Sequence, residues 1–162
     1  MSTLHYRKAK PDDMDWAYQL FRATMKEYID QTWGWNELFQ RHGFDENIRS
    51  SGLIIVSLTD RSVQGNTPRD ITQPITQIGA YSLKQKTDHL LLDMLLVAPQ
   101  WQRHGYGSQI LQHILQQGKS DAQPIRLSVL RNNPAYHFYC HHGFTVESQD
   151  AFRYRMILEQ RQ

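Results

Sequence analysis

Residues 97–107 have the residue types and spacing to hold a phosphate group. They read VAPQWQRHGYG, in which an apolar run ends at a proline and two glycines precede an amphipathic stretch. A loop placed this way exposes the first amides of a helix, which have no partner inside the helix and attract anions. Gly105 and Gly107 lack a Cβ, so a phosphate can approach the backbone closely. Glycine spacing alone is equally typical of a plain strand-to-helix turn.

The same segment does not match two common nucleotide-binding motifs. No Walker lysine follows the glycines, and the pattern G-x-G-x-x-G is absent from the sequence. Nucleotide hydrolysis and Rossmann-type dinucleotide binding are therefore disfavoured.

A second pattern downstream makes the interpretation specific. Residues 132–144 read N-x-x-A-x-x-F-Y-x-x-x-G-F, and residues 102–107 read Q-x-x-G-x-G after a strand and V-x-P. The upstream pattern resembles the acyl-CoA signature of the GNAT family of N-acetyltransferases. The downstream pattern is similar to that family's next motif, N-x-x-A-x-x-F-Y-E-x-x-G-F. The order and separation of the two patterns also fit, and the resemblance extends from Leu4 to Leu158.

The resemblance implies one α/β (α+β) domain over residues 1–162. Its sheet would be mixed and mostly antiparallel, with a central parallel strand pair splayed around acyl-CoA and helices on its faces. The implied reaction is transfer of the acetyl group of acetyl-CoA to a primary amine of a small molecule, peptide or protein by direct attack. A non-catalytic acyl-CoA-binding module of the same fold stays open as the alternative.

The resemblance also implies which residues contact acetyl-CoA. Amides of the loop would hold the pyrophosphate, the end of the preceding strand would pair with the pantetheine arm, and an asparagine would contact the cosubstrate from the other side. These residues are Leu95, Leu96, Val97, Gln102, Arg103, His104, Gly105, Tyr106, Gly107, Ser108, Asn132 and Phe138. For Arg103 and His104, an ordinary solvated role is an equal alternative.

Two catalytic roles follow from the same resemblance. Tyr139 matches the tyrosine that donates a proton to the departing thiolate, and a packing role on a short helix is its alternative. Asp93 interrupts the apolar run from Leu90 to Val97, so its carboxylate either serves as the base or forms a structural hydrogen bond. Glu37 is a weaker candidate for the base, and the reaction does not require a dedicated base.

The acceptor site is predicted where two tryptophans flank Gly34. Trp33 and Trp35 either form the wall of an apolar or cationic site, or fill the core between two helices, which is the better expectation for each one. The predicted acceptor-contacting residues are Tyr28, Trp33, Trp35 and Glu37, with Tyr154 as a further candidate. The identity of the acceptor cannot be read from these residues.

One stretch departs from the family pattern. Cys140 stands where a glutamate is common, and His142 stands where an apolar residue is usual before the glycine. Cys140, His141 and His142 are metal-ligating residue types, but adjacent helical residues point about 100° apart and cannot converge on one ion. We therefore expect no metal.

Composition sets the remaining expectations. The chain has 162 residues, a net charge of +2 and one cysteine, which fits a single domain in a reducing compartment. It has no signal-peptide pattern and no apolar run long enough to cross a bilayer. From these features we expect a cytoplasmic protein without a membrane partner. We also expect no nucleic-acid partner, because a stripe of lysine and arginine residues is missing. Whether the chain forms a homodimer is left open.

Hydrophobic periodicity and turn residues predict the elements that must position these residues. The predicted strands are Leu4–Ala9, Leu53–Leu58, Thr76–Gln85, His89–Val97, Ile125–Leu130, Phe144–Glu147 and Arg153–Leu158. The predicted helices run from Asp12 to about Asp30, from Trp35 to about Arg41 with an end near Gly43, from Gly107 to Gln117 with an end at Gly118, and from Pro134 to His142. A long surface loop is predicted from Asp60 to Pro74. A helix between two successive strands, as in residues 89–130, predicts that those strands are parallel.

Overall fold

The computed structural model describes residues 2–60, 75–119 and 122–160. The loop predicted from Asp60 to Pro74 falls, beyond its first residue, outside the described residues. The strands are β1 (Ser2–Lys8), β2 (Ile54–Asp60), β3 (Ile75–Gln85), β4 (Leu90–Val97), β5 (Ile125–Leu130), β6 (Thr145–Gln149) and β7 (Arg153–Leu158). The helices are α1 (Met14–Trp33), α2 (Glu37–Ser51), α3 (Tyr106–Lys119) and α4 (Ala135–His141).

The strands form a seven-stranded sheet in the order β1-β2-β3-β4-β5-β7-β6. β4 and β5 are parallel, and the other neighbouring strands are antiparallel. The fold prediction is therefore confirmed, including the parallel pair on either side of α3. A tight turn joins β3 and β4, where the amide of Lys86 donates to the carbonyl of His89 at 2.9 Å.

The two faces of the sheet bury different helices. On one face, Ile110, Leu111 and Ile114 of α3 pack on Leu92, Leu127 and Met156 of the strands. On the other, Ala17, Leu20, Phe44 and Ile48 of α1 and α2 pack on Ile55 and Leu96. Helices cover both faces of the sheet, and side chains of β4 pack in the cores on both faces. This explains why the sequence of β4 is nearly continuously apolar.

The prediction for α2 was wrong at its end. The helix continues past Gly43 to Ser51, because Phe44 and Ile48 lie one turn apart and are both buried. Burying two large side chains outweighs the cost of about 1 kcal/mol for an exposed glycine within a helix. The helix ends instead at Gly52, whose φ of 75° suits a residue without a Cβ.

The other helix bounds shift by a few residues. α1 starts at Met14 and reaches Trp33, where Gly34 with a φ of 82° ends it. α3 starts one residue before the predicted Gly107 and runs one residue past Gly118. None of the described helices combines the length and apolar composition that a bilayer crossing requires.

Candidate functional site

The parallel strands β4 and β5 pair only at their beginnings. Leu90 pairs with Ile125 and Leu91 with Arg126, and no later residue of β4 pairs with β5. Each strand stays paired on its outer side, β4 with β3 through Val97 and β5 with β7 through Leu130. The two strands therefore splay apart, and a cavity of about 210 Å³ lies between them.

Side chains from five elements line this cavity, together with Asn133 of the β5–α4 connection. They are Phe21, Met25, Ile29 and Trp33 of α1, Leu92, Asp93, Met94, Leu95 and Leu96 of β4, Leu127, Ser128, Val129 and Leu130 of β5, Ala135 and Tyr139 of α4, and Arg153 of β7. Most are apolar, with a few polar groups, as is usual for a small-molecule site.

A β-bulge in β4 positions Asp93. Ser82 pairs with Met94 and the next residue of β3 pairs with Leu92, so Asp93 is an extra residue without a cross-strand partner. Leu92 belongs to the core on the face of the sheet that α3 covers, and Met94 packs against the core on the face that α1 and α2 cover. The exposed side chain of Asp93 lines the cavity and accepts a hydrogen bond from the side-chain amide of Asn47 on α2. The structural hydrogen bond considered for Asp93 is therefore present, and its role as a base stays a prediction.

Tyr139 is buried, with 8% of its surface exposed, and lines the cavity from α4. Its ring packs edge-on against Phe144 at 5.6 Å. Burial raises the pKa of its phenol, so the hydroxyl stays protonated at neutral pH. Within the described part of the chain, the hydroxyl has no hydrogen-bond partner. It is therefore a proton donor that remains free for a ligand.

The loop between β4 and α3 bends sharply at two residues. Arg103 has a φ of 65° and Gly105 a φ of 83°, a region that only glycine enters without strain. The side-chain amide of Gln102 donates to the carbonyl of Val97 at 2.9 Å and ties the loop to the strand end. The backbone amides of residues 103–108 donate to no atom of the described residues. This row of amides at the start of α3 is available to an anion.

Phe138 and His142 of the α4 region support the first turn of α3. A Cβ at Gly107 would lie 3.5 Å from the ring of Phe138. Phe138 packs against the core on the α3 face of the sheet and does not line the cavity. The hydroxyl of Ser108 lies 2.9 Å from Nε2 of His142. This contact gives His142 a polar partner and explains why a histidine is tolerated where an apolar residue is usual.

The structure places Asn132 against α1. Its side-chain amide donates to the carbonyl of Tyr28 at 3.1 Å and to the side chains of Gln31 and Thr32. Asn132 does not line the cavity, whereas its neighbour Asn133 does. Sequence reasoning missed Asn133, although its place beside the motif asparagine was a usable signal.

Trp33 and Trp35 of the predicted acceptor segment have different surroundings. Trp33 lines the cavity and is 48% exposed. Trp35 is half-buried, packs 6.0 Å from Phe21 and donates to Glu37 at 2.6 Å. Trp35 thus follows the alternative of filling space between helices, and Trp33 forms part of the cavity wall.

Glu37 belongs to a hydrogen-bond network at the start of α2. It accepts from Trp35, from the hydroxyl of Tyr18 at 2.8 Å and from Arg22 at 3.4 Å. The bonds from Trp35 and Tyr18 lower the pKa of the Glu37 carboxyl, which makes it a weaker base. Neither Glu37 nor Tyr28 lines the cavity.

Arg153 is a further residue that sequence reasoning missed. It lines the cavity from the first position of β7, and its guanidinium carbon lies 4.7 Å from the centre of the Trp33 ring. Tyr154, a candidate for acceptor contact, does not line the cavity and packs 4.5 Å from Tyr136. No local motif marks Arg153, because β7 reaches the cavity only through its pairing with β5.

No cluster of three potential metal ligands is present among residues 2–60, 75–119 and 122–160. Cys140 is exposed.

Comparison with known proteins agrees with this architecture. Residues 71–146 match the family model of the acetyltransferase (GNAT) domain. No curated protein matches the sequence. The chain shares its fold with the PaiA N-acetyltransferase of Thermoplasma acidophilum, solved with coenzyme A, at a TM-score of 0.70 and 20% identity over 97% of this chain and 99% of that one.

Two further solved structures are similar. The ribosomal-protein-S18-alanine N-acetyltransferase of Escherichia coli has a TM-score of 0.67 and 16% identity, covering 100% of this chain and 96% of that one. The spermidine N-acetyltransferase of Vibrio cholerae, solved with CoA and spermine, has a TM-score of 0.65 and 16% identity, covering 97% and 95%. Residues 71–146 thus match the GNAT acetyltransferase domain model, and the chain as a whole shares the fold of solved N-acetyltransferases.

Proposed function

We propose that this chain is an N-acetyltransferase that transfers the acetyl group of acetyl-CoA to a primary amine of a small molecule, peptide or protein. The observation that supports this most is the cavity between β4 and β5, which is lined by Tyr139, whose hydroxyl is protonated and has no hydrogen-bond partner among the described residues. An apolar cavity strengthens electrostatic interactions with the reacting groups.

The chain's own residues fit the chemistry of acetyl-CoA. The amides of residues 103–108 suit the pyrophosphate, and exposed Arg103 and His104 carry side chains that suit its oxygens. From Leu92 onward β4 has no strand partner on the side of β5, so residues 95–97 have backbone groups for the amide-rich pantetheine arm. Two similar structures, from Thermoplasma acidophilum and Vibrio cholerae, hold coenzyme A.

The proposed reaction is one acyl transfer. The neutral acceptor amine attacks the thioester carbonyl carbon, so a C–N bond forms and the C–S bond breaks. Tyr139 donates its proton to the departing sulfur, and a positioned acid of this kind contributes about 10²–10⁴ in rate. We assign the proton that the amine loses to Asp93, through water, because Asp93 is the carboxylate among the described cavity residues.

The experiment is thiol release from acetyl-CoA, measured with a panel of primary amines. The proposal expects amine-dependent release that exceeds the hydrolysis seen without an amine. Binding of acetyl-CoA without amine-dependent release from any member of the panel would instead favour the non-catalytic acyl-CoA-binding module. If acetyl-CoA does not bind and no thiol is released, both functions are contradicted.

A further inference from the structure

Arg153 stands at the end of the cavity formed by α1 and β7. It pairs with Leu130, the last residue of β5, and its guanidinium stacks over Trp33, the last residue of α1. The Trp33 ring also packs 5.6 Å from Phe152. The α3 amides proposed for the pyrophosphate do not line the cavity. We therefore take the end at Arg153 and Trp33 as the acceptor side.

The guanidinium of Arg153 differs from those of the neighbouring arginines. Arg155, two residues along β7, forms an ion pair with Asp150 at 3.0 Å. Arg131 donates to the backbone carbonyl of Asp150 at 3.1 Å. The Arg153 guanidinium forms neither a hydrogen bond nor an ion pair with any residue that the structure describes. Its N–H donors at the cavity are therefore available to a ligand.

The charges of the cavity wall restrict the acceptor. Among the described lining residues, the charged side chains are Asp93 and Arg153, and Asp93 already accepts a hydrogen bond from Asn47. A polyamine would bring further positive charge against an unpaired guanidinium, and like charges repel. A carboxylate would instead form a bidentate, charge-assisted pair with it. The guanidinium carbon lies 4.7 Å from the centre of the Trp33 ring, a cation–π contact that helps to hold the charge in place for such a pair.

The size of the cavity restricts the acceptor further. Its volume of about 210 Å³ must hold the acetyl thioester as well as the reactive end of the acceptor, which favours a small acceptor over a drug-sized one. We infer that the acceptor is a small amine that also carries a carboxylate group, of the size of an amino acid, and that Arg153 binds this carboxylate. The inference rests on the proposed acetyltransferase function and adds to it the chemical class of the acceptor.

Matched acceptor pairs test the inference. The L-amino acids are compared one by one with their carboxamides, which keep the amine and lose the negative charge, and spermidine serves as the polycationic probe. The amine of a carboxamide is less basic, so more of it is neutral near pH 7.5, and amine reactivity alone would favour the amide. The expected result is a higher kcat/KM for the acids than for their amides and for spermidine. Amides or spermidine acetylated as well as the best acid would overturn the inference.

Variants of two arginines on one strand test the residue itself. Arg153→Met should lower kcat/KM for the best acid roughly 10- to 100-fold, mainly through KM, and lower it much less for the amide, because the charge-assisted pair with the carboxylate is lost. Arg153→Lys should lower kcat/KM for this acid less, since the positive charge remains but the bidentate hydrogen-bonding geometry of the guanidinium is lost. The control Arg155→Met removes the same charge from an arginine that does not line the cavity, and should keep the preference for acids. A full preference in Arg153→Met would overturn the inference.

Failure of this inference can be distinguished from failure of the proposed function. If thiol is released with amides or spermidine and acids are not preferred, the inference is contradicted but the proposed acetyltransferase function still holds. Absence of release with every amine would contradict the proposed function itself, and the inference with it. Binding is measured as well, in case a variant folds but turns over slowly. In the presence of CoA, the N-acetylated product acid should bind the wild-type protein more tightly than its amide does. In Arg153→Met the acid should lose that advantage.

Discussion

Leu91 and Arg126 form the last pair of the parallel ladder between β4 and β5. Beyond them β4 follows β3, where the backbone oxygen of Leu96 lies so close to Gly79 that a Cβ there would be only 2.4 Å away. β5 follows β7 instead, as far as the pair of Leu130 and Arg153. Each strand satisfies its outer hydrogen bonds, so the gap between them opens without disrupting the rest of the sheet.

Tyr139→Phe should keep acetyl-CoA binding and lose most turnover. The substitution removes the hydroxyl that donates a proton and keeps the ring that packs on Phe144. We expect kcat to fall by about 10²–10⁴, measured by thiol release with the best amine. A kcat close to that of wild type would remove Tyr139 from the role of acid. Because burial raises the pKa of this phenol, its ionisation should not limit activity between pH 7 and 9.

Gly105→Ala should weaken the binding of acetyl-CoA and also destabilise the fold. A residue with a Cβ at a φ of 83° is strained by roughly 1–2 kcal/mol, and relief of that strain would move the loop amides. The matched control is Gly52→Ala, at a φ of 75° at the end of α2. The control should lower the free energy of unfolding to a similar extent but leave the Kd for acetyl-CoA unchanged. Equal Kd values for both variants would contradict a role for the loop.

Glu37→Gln should lower stability without lowering kcat. The carboxylate accepts from Trp35, Tyr18 and Arg22, and an amide can accept from fewer of these donors. Urea unfolding should show a reduced midpoint, whereas thiol release by the folded variant should keep its rate. Burial, followed by the bond to Glu37, raises the pKa of Tyr18 to about 12, and this pKa should fall in the variant. A large loss of kcat with unchanged stability would restore Glu37 as a catalytic base.

His142→Leu should reduce the loss of stability in acid. Burial, and secondarily the neighbouring His141, lower the pKa of His142 below its usual 6.5. As the pH falls through 6.5 the unfolded chain binds a proton that the folded chain does not, so the free energy of unfolding decreases. Between pH 7.5 and 5.5 the variant should therefore lose less stability than wild type. The control His137→Leu, at an exposed position, should behave as wild type. Equal acid losses for His142→Leu and wild type would contradict this account.

Much of the fold could be predicted from local sequence, because turns and apolar periodicity determine elements of ordinary length. The end of α2 could not, since the burial of Phe44 and Ile48 against the sheet outweighs the helix-breaking tendency of Gly43. The bulge at Asp93 also has no sequence signal, because it is defined by which residues of β3 and β4 face each other.

The candidate site could be predicted only in part. The proposed donor side consists of one continuous segment and one downstream motif, so sequence spacing could predict it, and Tyr139 of that motif lines the cavity. The proposed acceptor side brings together Trp33 and Arg153, which are far apart in sequence and meet only through tertiary packing. Residues of this kind follow from the structure, not from a motif.

The most direct test of the acyl-CoA site is the thermal unfolding of the wild-type chain with and without acetyl-CoA. A ligand at 100 times its Kd stabilises the folded state by about 2.7 kcal/mol. For a chain of 162 residues this corresponds to a rise in Tm of roughly 5–10 °C. The account predicts such a rise with both acetyl-CoA and CoA. An unchanged Tm at millimolar concentrations of both would contradict it.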